Sequence, residues 1–575
     1  MTTTDDPNTA TAIGDRAPMT RRDPSQETRP HRTAPLTAAP ALVRFLLRVD
    51  RIRALVWVVG IGALALYFSH AIQVIAGDDE TLAELAGLYA DPVGRMMVGP
   101  GFGMDSPTHE RFFAAGYAFV LYIALALLSV FTVIRHTRAD EQAGRAELLR
   151  ANVVGRHATL AAALIVTMLL VLASTVLIAV SALSAGFAWE GSLLIAGTGA
   201  ATGLFFAGAA AVAAQLSSSS RGASGLAGGL IGLACVIRMA GDAPEVGGTA
   251  LSWASPLGWA QQTAPYVDDL WWPVLLLAGG GLLLVGLGFS LSTRRDVGEG
   301  ILPARLSRAE ARPALGTPLG MAARTLVGTL RGWGIALLLA GLMFGSYSQT
   351  MLDAAGSLPP ELADFFTGED VMLGYLAYIA LFMGVLVLAA AVGGLQQIRG
   401  EETRGRAEYG LSSPLSRITW LGAHLTVVLA GVVLILAAVG AAMGLGAALS
   451  LEDDGGRYAG ELIAAALQQA PAVVCVIGIV TALIGWLPRA AAPVGWASVA
   501  FCGFMGTFGG LLDPPDALLD LDPFHHLASH PVEPVAWEPI VWLTAIGAAG
   551  IVLGLLGWRR REVGKIGRAS CREIV

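Results

Sequence analysis

Two charged stretches repeat the same residues at the same spacing. Asp140–Arg156 reads DEQAGRAELLRANVVGR and Glu401–Arg417 reads EETRGRAEYGLSSPLSR, with a constant offset (402 − 141 = 261 and 417 − 156 = 261). Glu141 aligns with Glu402, Gly144 with Gly405, Arg145 with Arg406 and Glu147 with Glu408. Glu141 and Arg145 stand at i and i+4, as do Glu402 and Arg406, a pairing that supports a short helix. Such a unit offers no bond chemistry. It offers either a solvated hairpin or a rigid elbow that receives force from a second protein. A hairpin that only needs positive charge does not require two glutamates and a glycine at fixed places, so the elbow reading is preferred.

Other residue types exclude most chemistry. A phosphate-binding loop needs a lysine after its glycines. The only lysine, Lys565, lies in VGKIG, so no such loop is present. No catalytic triad or cysteine–histidine pair is convincing. Asp513, Asp516, Asp520 and Asp522 lie near His525, His526 and His530, and the last two stand at metal-ligand spacing if helical. Pro514, Pro515, Pro523 and Pro531 break that stretch, so an ordinary exposed loop with no metal is expected. Arg238, with Asp242 one turn on, ends an apolar run. A charge at such depth is expensive and often functional. It either lines the exit of a substrate path or snorkels to the interface.

The elements that position these residues follow from composition. Of 575 residues, 54% are hydrophobic and 14% charged, against about 25% charged in soluble domains. This is an all-α integral membrane protein. Net charge is −7, which speaks against nucleic acid. Twelve apolar runs approach the roughly 20 residues that cross a bilayer: Arg53–Val74, Phe112–Ile134, Ala158–Leu183, Leu193–Leu216, Gly222–Met239, Leu270–Leu291, Trp333–Met351, Val371–Leu395, Trp420–Leu445, Leu462–Leu487, Ala490–Leu511 and Pro539–Trp558. Alternate loops carry arginine (Arg135, Arg138, Arg145; Arg221; Arg294, Arg295; Arg399, Arg404, Arg406; Arg489; Arg559–Arg561) and the intervening ones aspartate and glutamate. Arg95, Arg111 and Arg457 are the exceptions. The positive-inside rule then places both termini in the cytoplasm.

The echo extends beyond the elbows. RRDVG (Arg294–Gly298) follows the sixth run and RREVG (Arg560–Gly564) the twelfth, and SPLGW at Ser255 answers DPFHH at Asp522. The chain therefore divides into a disordered cytoplasmic tail (1–40), a six-span half (41–298), a linker (299–319) and a second six-span half (320–564). Residues 565–575 include IGRASCRE, which reads as a translated sequencing adapter and is expected to be non-native. Ala41–Arg53 sets Arg44, Arg48 and Arg51 on one stripe and predicts an interfacial amphipathic helix, or else an early start of the first span. Gly241–Asp269, rich in Trp, Pro and Gly, predicts an outer cap or a surface loop.

Two six-span halves, an EE…GR.E sentence after each second span and RRDVG after the sixth resemble one family: the ATP-binding-cassette type-2 exporter permeases, in the fused form typified by tetronasin and polyketide antibiotic exporters. The resemblance covers nearly all of Ala41–Gly564. It implies a multi-pass permease of the plasma (inner) membrane. It implies that Glu141, Gly144, Arg145 and Glu147, with Glu402, Gly405, Arg406 and Glu408, form coupling helices that dock an ABC ATP-binding subunit. That subunit would be present in two copies and would hold ATP and Mg, leaving no cofactor in this chain. The second copy departs after Glu408, and Pro414 is expected to end its helix early. With few charges in the spans, the cargo is expected to be small and lipophilic or amphipathic: a polyketide-like antibiotic, a drug or a lipid. The alternative is a secondary multidrug transporter driven by an ion gradient, which would need buried ionisable groups near the midplane; His424 is the main one here.

Overall fold

In hydrocarbon, backbone N–H and C=O groups must bond within their own segment, so each apolar run becomes a helix. A computed structural model describes residues 34–561 apart from residues 91, 151–152, 297, 303–309, 350–351, 353–370, 452–457 and 513–514. The expectations for residues 1–33, for the end beyond Arg561, for Arg457 and for the acidic loop at Glu361, Asp364 and Asp370 lie outside the described residues.

The first half runs α1 (Ala39–Val49), α2 (Arg51–Ile75), α3 (Asp79–Ala90), α4 (Pro92–Val98), α5 (His109–Gln142), α6 (Arg145–Arg150), α7 (Ala158–Ser184), α8 (Trp189–Leu216), α9 (Ser220–Asp242), α10 (Pro256–Gln261) and α11 (Trp272–Ser292). The second runs α12 (Pro318–Ser346), α13 (Val371–Thr403), α14 (Arg406–Leu411), α15 (Arg417–Ser450), α16 (Tyr458–Gln468), α17 (Ala470–Trp486), α18 (Ala491–Leu512), α19 (Asp516–Leu519) and α20 (Trp537–Arg560). Eleven helices among the described residues are long and apolar enough to cross a membrane, α16 and α17 together making one of them. Helix α18, where the eleventh of the twelve runs was expected, is a shorter apolar helix over Ala491–Gly506 and is not one of the eleven.

The same pairs form twice. Helix α2 packs on α7 as α12 packs on α15, and α8 packs on α11 as α17 packs on α20. Each half has its own core: one cluster runs from Leu326 to Trp558 in the second half, and the other clusters stay in the first. Small residues set the closest approaches. A Cβ on Gly478 or Gly550 would run into the α17–α20 contact, where Gly478 meets the backbone of Gly547, and Gly485 meets Gly554 in the same way. Gly208 lies against the Gly281 carbonyl in the first half.

Two expectations change, and one alternative is resolved. The seventh helix starts at Pro318, not Trp333, because Thr317 caps it and it runs through Arg324 and Arg331 before its apolar part. Residues 34–40, expected to be irregular, are ordered: the Gly155 and His157 N–H groups donate to Thr37 and Pro35 carbonyls. Helix α1 is a separate element rather than an early start of α2, since the chain breaks at Asp50. Its Leu42 and Leu46 pack on Ala158, Ala162 and Val166 of α7 while Arg44 and Arg48 stay exposed.

Candidate functional site

Both elbows are built on one plan at the arginine-rich end of the bundle. At the first, the chain leaves α5, turns at Gly144 and enters α6; at the second, it leaves α13, turns at Gly405 and enters α14. Gly144 has φ +72° and Gly405 φ +71°, in the left-handed region where a side chain is strained. No atom crowds a Cβ at either, so the backbone conformation and not space calls for glycine.

The expected pairing of Glu141 with Arg145 does not form. The left-handed turn swings Arg145 toward Asp140, to which its Nε donates at 3.0 Å. In the second copy Arg406 pairs with Glu401 in the same register, Nε to Oε2 at 2.7 Å. That hydrogen bond holds the Arg406 guanidinium above its usual pKa, against the opposing effect of burial. The repeated glutamates instead turn inward. Glu141 accepts from Arg138 at 2.9 Å and from Arg295 at 2.7 and 3.1 Å. Glu402 accepts from Arg399 and Arg561. Arg138 also donates to the Ala214 carbonyl and Arg295 to Gln215 Oε1, so α5, the end of α8 and the chain after α11 are tied at one carboxylate. In the second half the Arg561 guanidinium lies over the Trp558 ring, and Arg417 donates to the Arg561 carbonyl.

What remains outward on each elbow is Arg145 with Glu147, and Arg406 with Glu408 and Tyr409, all exposed. Helix α14 ends at Leu411, capped at Ser412, and Pro414 lies beyond that end. The clamp arginines were half visible in the sequence: RRDVG and RREVG contain Arg295 and Arg561, but nothing local tied them to glutamates more than 150 residues earlier.

Between the halves, at this same end, lies a cavity of about 1080 Å³ walled by Arg145, Arg221, Arg324, Arg404, Arg406 and Glu401. At the opposite, acidic end the halves meet, with Met97 of α4 packed against the core of the second half. Arg238 sits there, 1% exposed, with its guanidinium 4.1 Å over the Phe119 ring and 3.5 Å from Asp242. It donates to the Met96 carbonyl at 2.9 Å and the Met97 carbonyl at 3.3 Å. Such burial rules out snorkelling. Ser252 donates to Asp242 at 2.5 Å. Arg95 and Arg111, exceptions to the arginine pattern, are spent on carbonyls: Arg95 on Asp242 and Ala243, Arg111 on Ser106 and Tyr266. Gly241–Asp269 folds as a cap containing α10, whose Ser255 accepts from the Leu257 and Gly258 N–H groups.

Among the described residues no cluster can hold a metal. His526 bonds the Asp520 carbonyl and His530 the Glu533 carbonyl, and they do not converge. Burial raises the Asp522 carboxyl, opposed by the Phe524 N–H. In α15, His424 is spent on the Trp420 carbonyl at 2.8 Å.

A doubled helical bundle with a cavity between its halves defines a multi-pass membrane permease. The profile of the family described as multidrug efflux system permease Rv1217c, C-terminal domain, matches residues 315–559. The multidrug efflux system permease protein Rv1217c of Mycobacterium tuberculosis (strain ATCC 25618 / H37Rv) is 34% identical over 550 residues, covering 94% of this chain and 98% of the relative. The chain belongs to this family of multidrug efflux permeases.

Proposed function

We infer that the protein is the membrane-spanning permease subunit of an ATP-driven ABC exporter that moves amphipathic or lipophilic compounds out of the cell. The arginine-rich end and both termini face the cytoplasm, and the membrane is the plasma membrane. A separate ATP-binding subunit, in two copies, binds ATP and Mg and docks on the two elbows. Its closure is carried through the clamped glutamates into α5 and α13, narrows the inter-half cavity and parts the halves at the acidic end. Arg238 and Asp242 serve the path indirectly, by holding α4 and hence Met97 at the outer contact.

The observation that carries this reading is the doubled elbow: two outward Arg–Glu surfaces, each rigidly tied to its half by one carboxylate shared between two arginines. A rigid tie is what a force-receiving element requires. An ion-gradient mechanism has less support: of the buried ionisable side chains, Arg138, Glu402, Arg238 and Asp242 are in ion pairs, Arg95 and His424 are spent on backbone carbonyls, and Asp522, which accepts from the Phe524 N–H, lies in the loop before α20 rather than within a span.

The test is co-expression with an ABC ATP-binding subunit and measurement of cargo-stimulated ATPase activity. Glu147→Arg with Glu408→Arg, both on exposed positions, is expected to abolish stimulation and co-purification while the permease keeps its melting temperature. Transport at full rate by the permease alone, without nucleotide hydrolysis, would overturn the reading.

A further inference from the structure

A second cavity adjoins the arginine-walled one. It is a groove of about 540 Å³ beside α1 and α2, with Val56, Trp57 and Phe131 as apolar walls and Asp50, Arg53 and Arg135 at its polar rim. Its size is that of a pocket for a drug-sized ligand, which runs to roughly 300–1,000 Å³. Ile52 (69% exposed), Val56 (66%) and Phe131 (48%) face away from the bundle, so the groove opens sideways toward lipid. The two cavities share Ala139 and Ser220 as lining residues, a sill common to both.

The charges of the larger cavity are not balanced. Asp140 holds Arg145 and Glu401 holds Arg406. Arg221, Arg324 and Arg404 have no ion-pair partner among the described residues. Retention of arginine at one end of a membrane protein explains their presence there. It does not explain why α9, α12 and the turn after α13 each aim one at the same space. Guanidinium groups bind carboxylates and phosphates through paired hydrogen bonds.

We propose that the groove, the sill and the larger, arginine-walled cavity form one entry path for an amphiphilic anion. The apolar body lies against Trp57 and Phe131, and the acidic head passes from Arg53 over Ala139 and Ser220 to Arg221, Arg324 and Arg404. This rests on the export reading and names the cargo class within it: an apolar body carrying a carboxylate or phosphate.

The experiment uses the full-length permease in nanodiscs of zwitterionic lipid, without nucleotide or partner, with empty nanodiscs as background. It is titrated with dansyl-labelled undecanoate and with the neutral amide of the same probe. The carboxylate is expected to bind at least about tenfold more tightly. Arg324→Gln with Arg404→Gln removes that preference, whereas the double lysine variant retains most of it. Phe131→Ala weakens both probes alike. Equal affinity for the two probes, a preference indifferent to the double glutamine variant, or binding untouched by Phe131→Ala overturns the proposal. Adding phosphatidylglycerol should leave the probe bound; complete displacement marks a lipid site and overturns the cargo assignment. Since binding is read without ATP, failure here leaves the partner-driven mechanism standing, and loss of stimulated ATPase leaves this result standing.

Discussion

Glu141 and Arg145 belong to the same repeated sentence but carry different loads. Arg138 is fully buried and Glu141 shows 10% of its side chain, so removing the carboxylate strands a buried cation. Breaking a buried pair costs about 3–5 kcal/mol, whereas an exposed pair contributes about 0–1 kcal/mol. Arg145, 57% exposed, falls in the second class. Glu141→Ala is therefore expected to lower the melting temperature of the purified permease strongly and Arg145→Ala hardly at all, with Glu402 and Arg406 repeating the contrast. A double-mutant cycle of Glu141 and Arg295 should show coupling; equal melting temperatures for the two single variants would remove the clamp from the account. Gly144→Ala and Gly405→Ala meet no atom, yet each should cost about 1–2 kcal/mol for the left-handed backbone alone. Gly400→Ala, in regular helix with open space around it, is the control and should stabilise slightly. Calorimetry of the three variants separates conformation from packing, and equal effects at all three would reject the backbone argument.

At the scale of elements, the twelve apolar runs were legible because hydrocarbon leaves the backbone one choice, and arginine alternation fixed which ends lie together. What was not legible came from long-range geometry. The start of α12 was hidden because Arg324 and Arg331 break the apolar signal without breaking the helix. The acid–base partners at the elbows were misread because i, i+4 spacing presumes an unbroken helix, and a left-handed glycine interrupts it. The same glycines were visible as repeated letters but not as turns. The glycine-mediated contact of α17 with α20 was visible only as composition. There the two backbones touch, so Gly478→Val has no room to relax without moving a helix. It is expected to destabilise by about 1–3 kcal/mol, read as a lower melting temperature or loss of monodispersity on sizing. Gly279→Val on α11, where nothing lies within 4 Å, should be close to neutral. If both substitutions behaved alike, close helix approach would not be what holds α20 in place.

For the molecule as a whole, the two ends stand in opposite states. The arginine-rich end is parted by a cavity of about 1080 Å³, while Met97 bridges the halves at the acidic end. Under the proposed cycle, a motor that draws the elbows together must invert both. Arg221 and Arg324 face the cavity from opposite halves and are exposed, which makes them suitable positions for spin labels after substitution by cysteine in a background lacking the native thiols. The distance between the labels should shorten when the partner subunit binds ATP and lengthen again after hydrolysis. Arg238→Ala should favour the inverted state even without nucleotide, because Met96 and Met97 lose the guanidinium that fixes their carbonyls. The expected signature is a label distribution shifted toward the short distance, with export reduced and membrane insertion unchanged. An Arg238→Ala distribution identical to that of the unmodified protein would mean that the contact at the acidic end does not govern the arginine-walled cavity, and the two ends would then have to move independently.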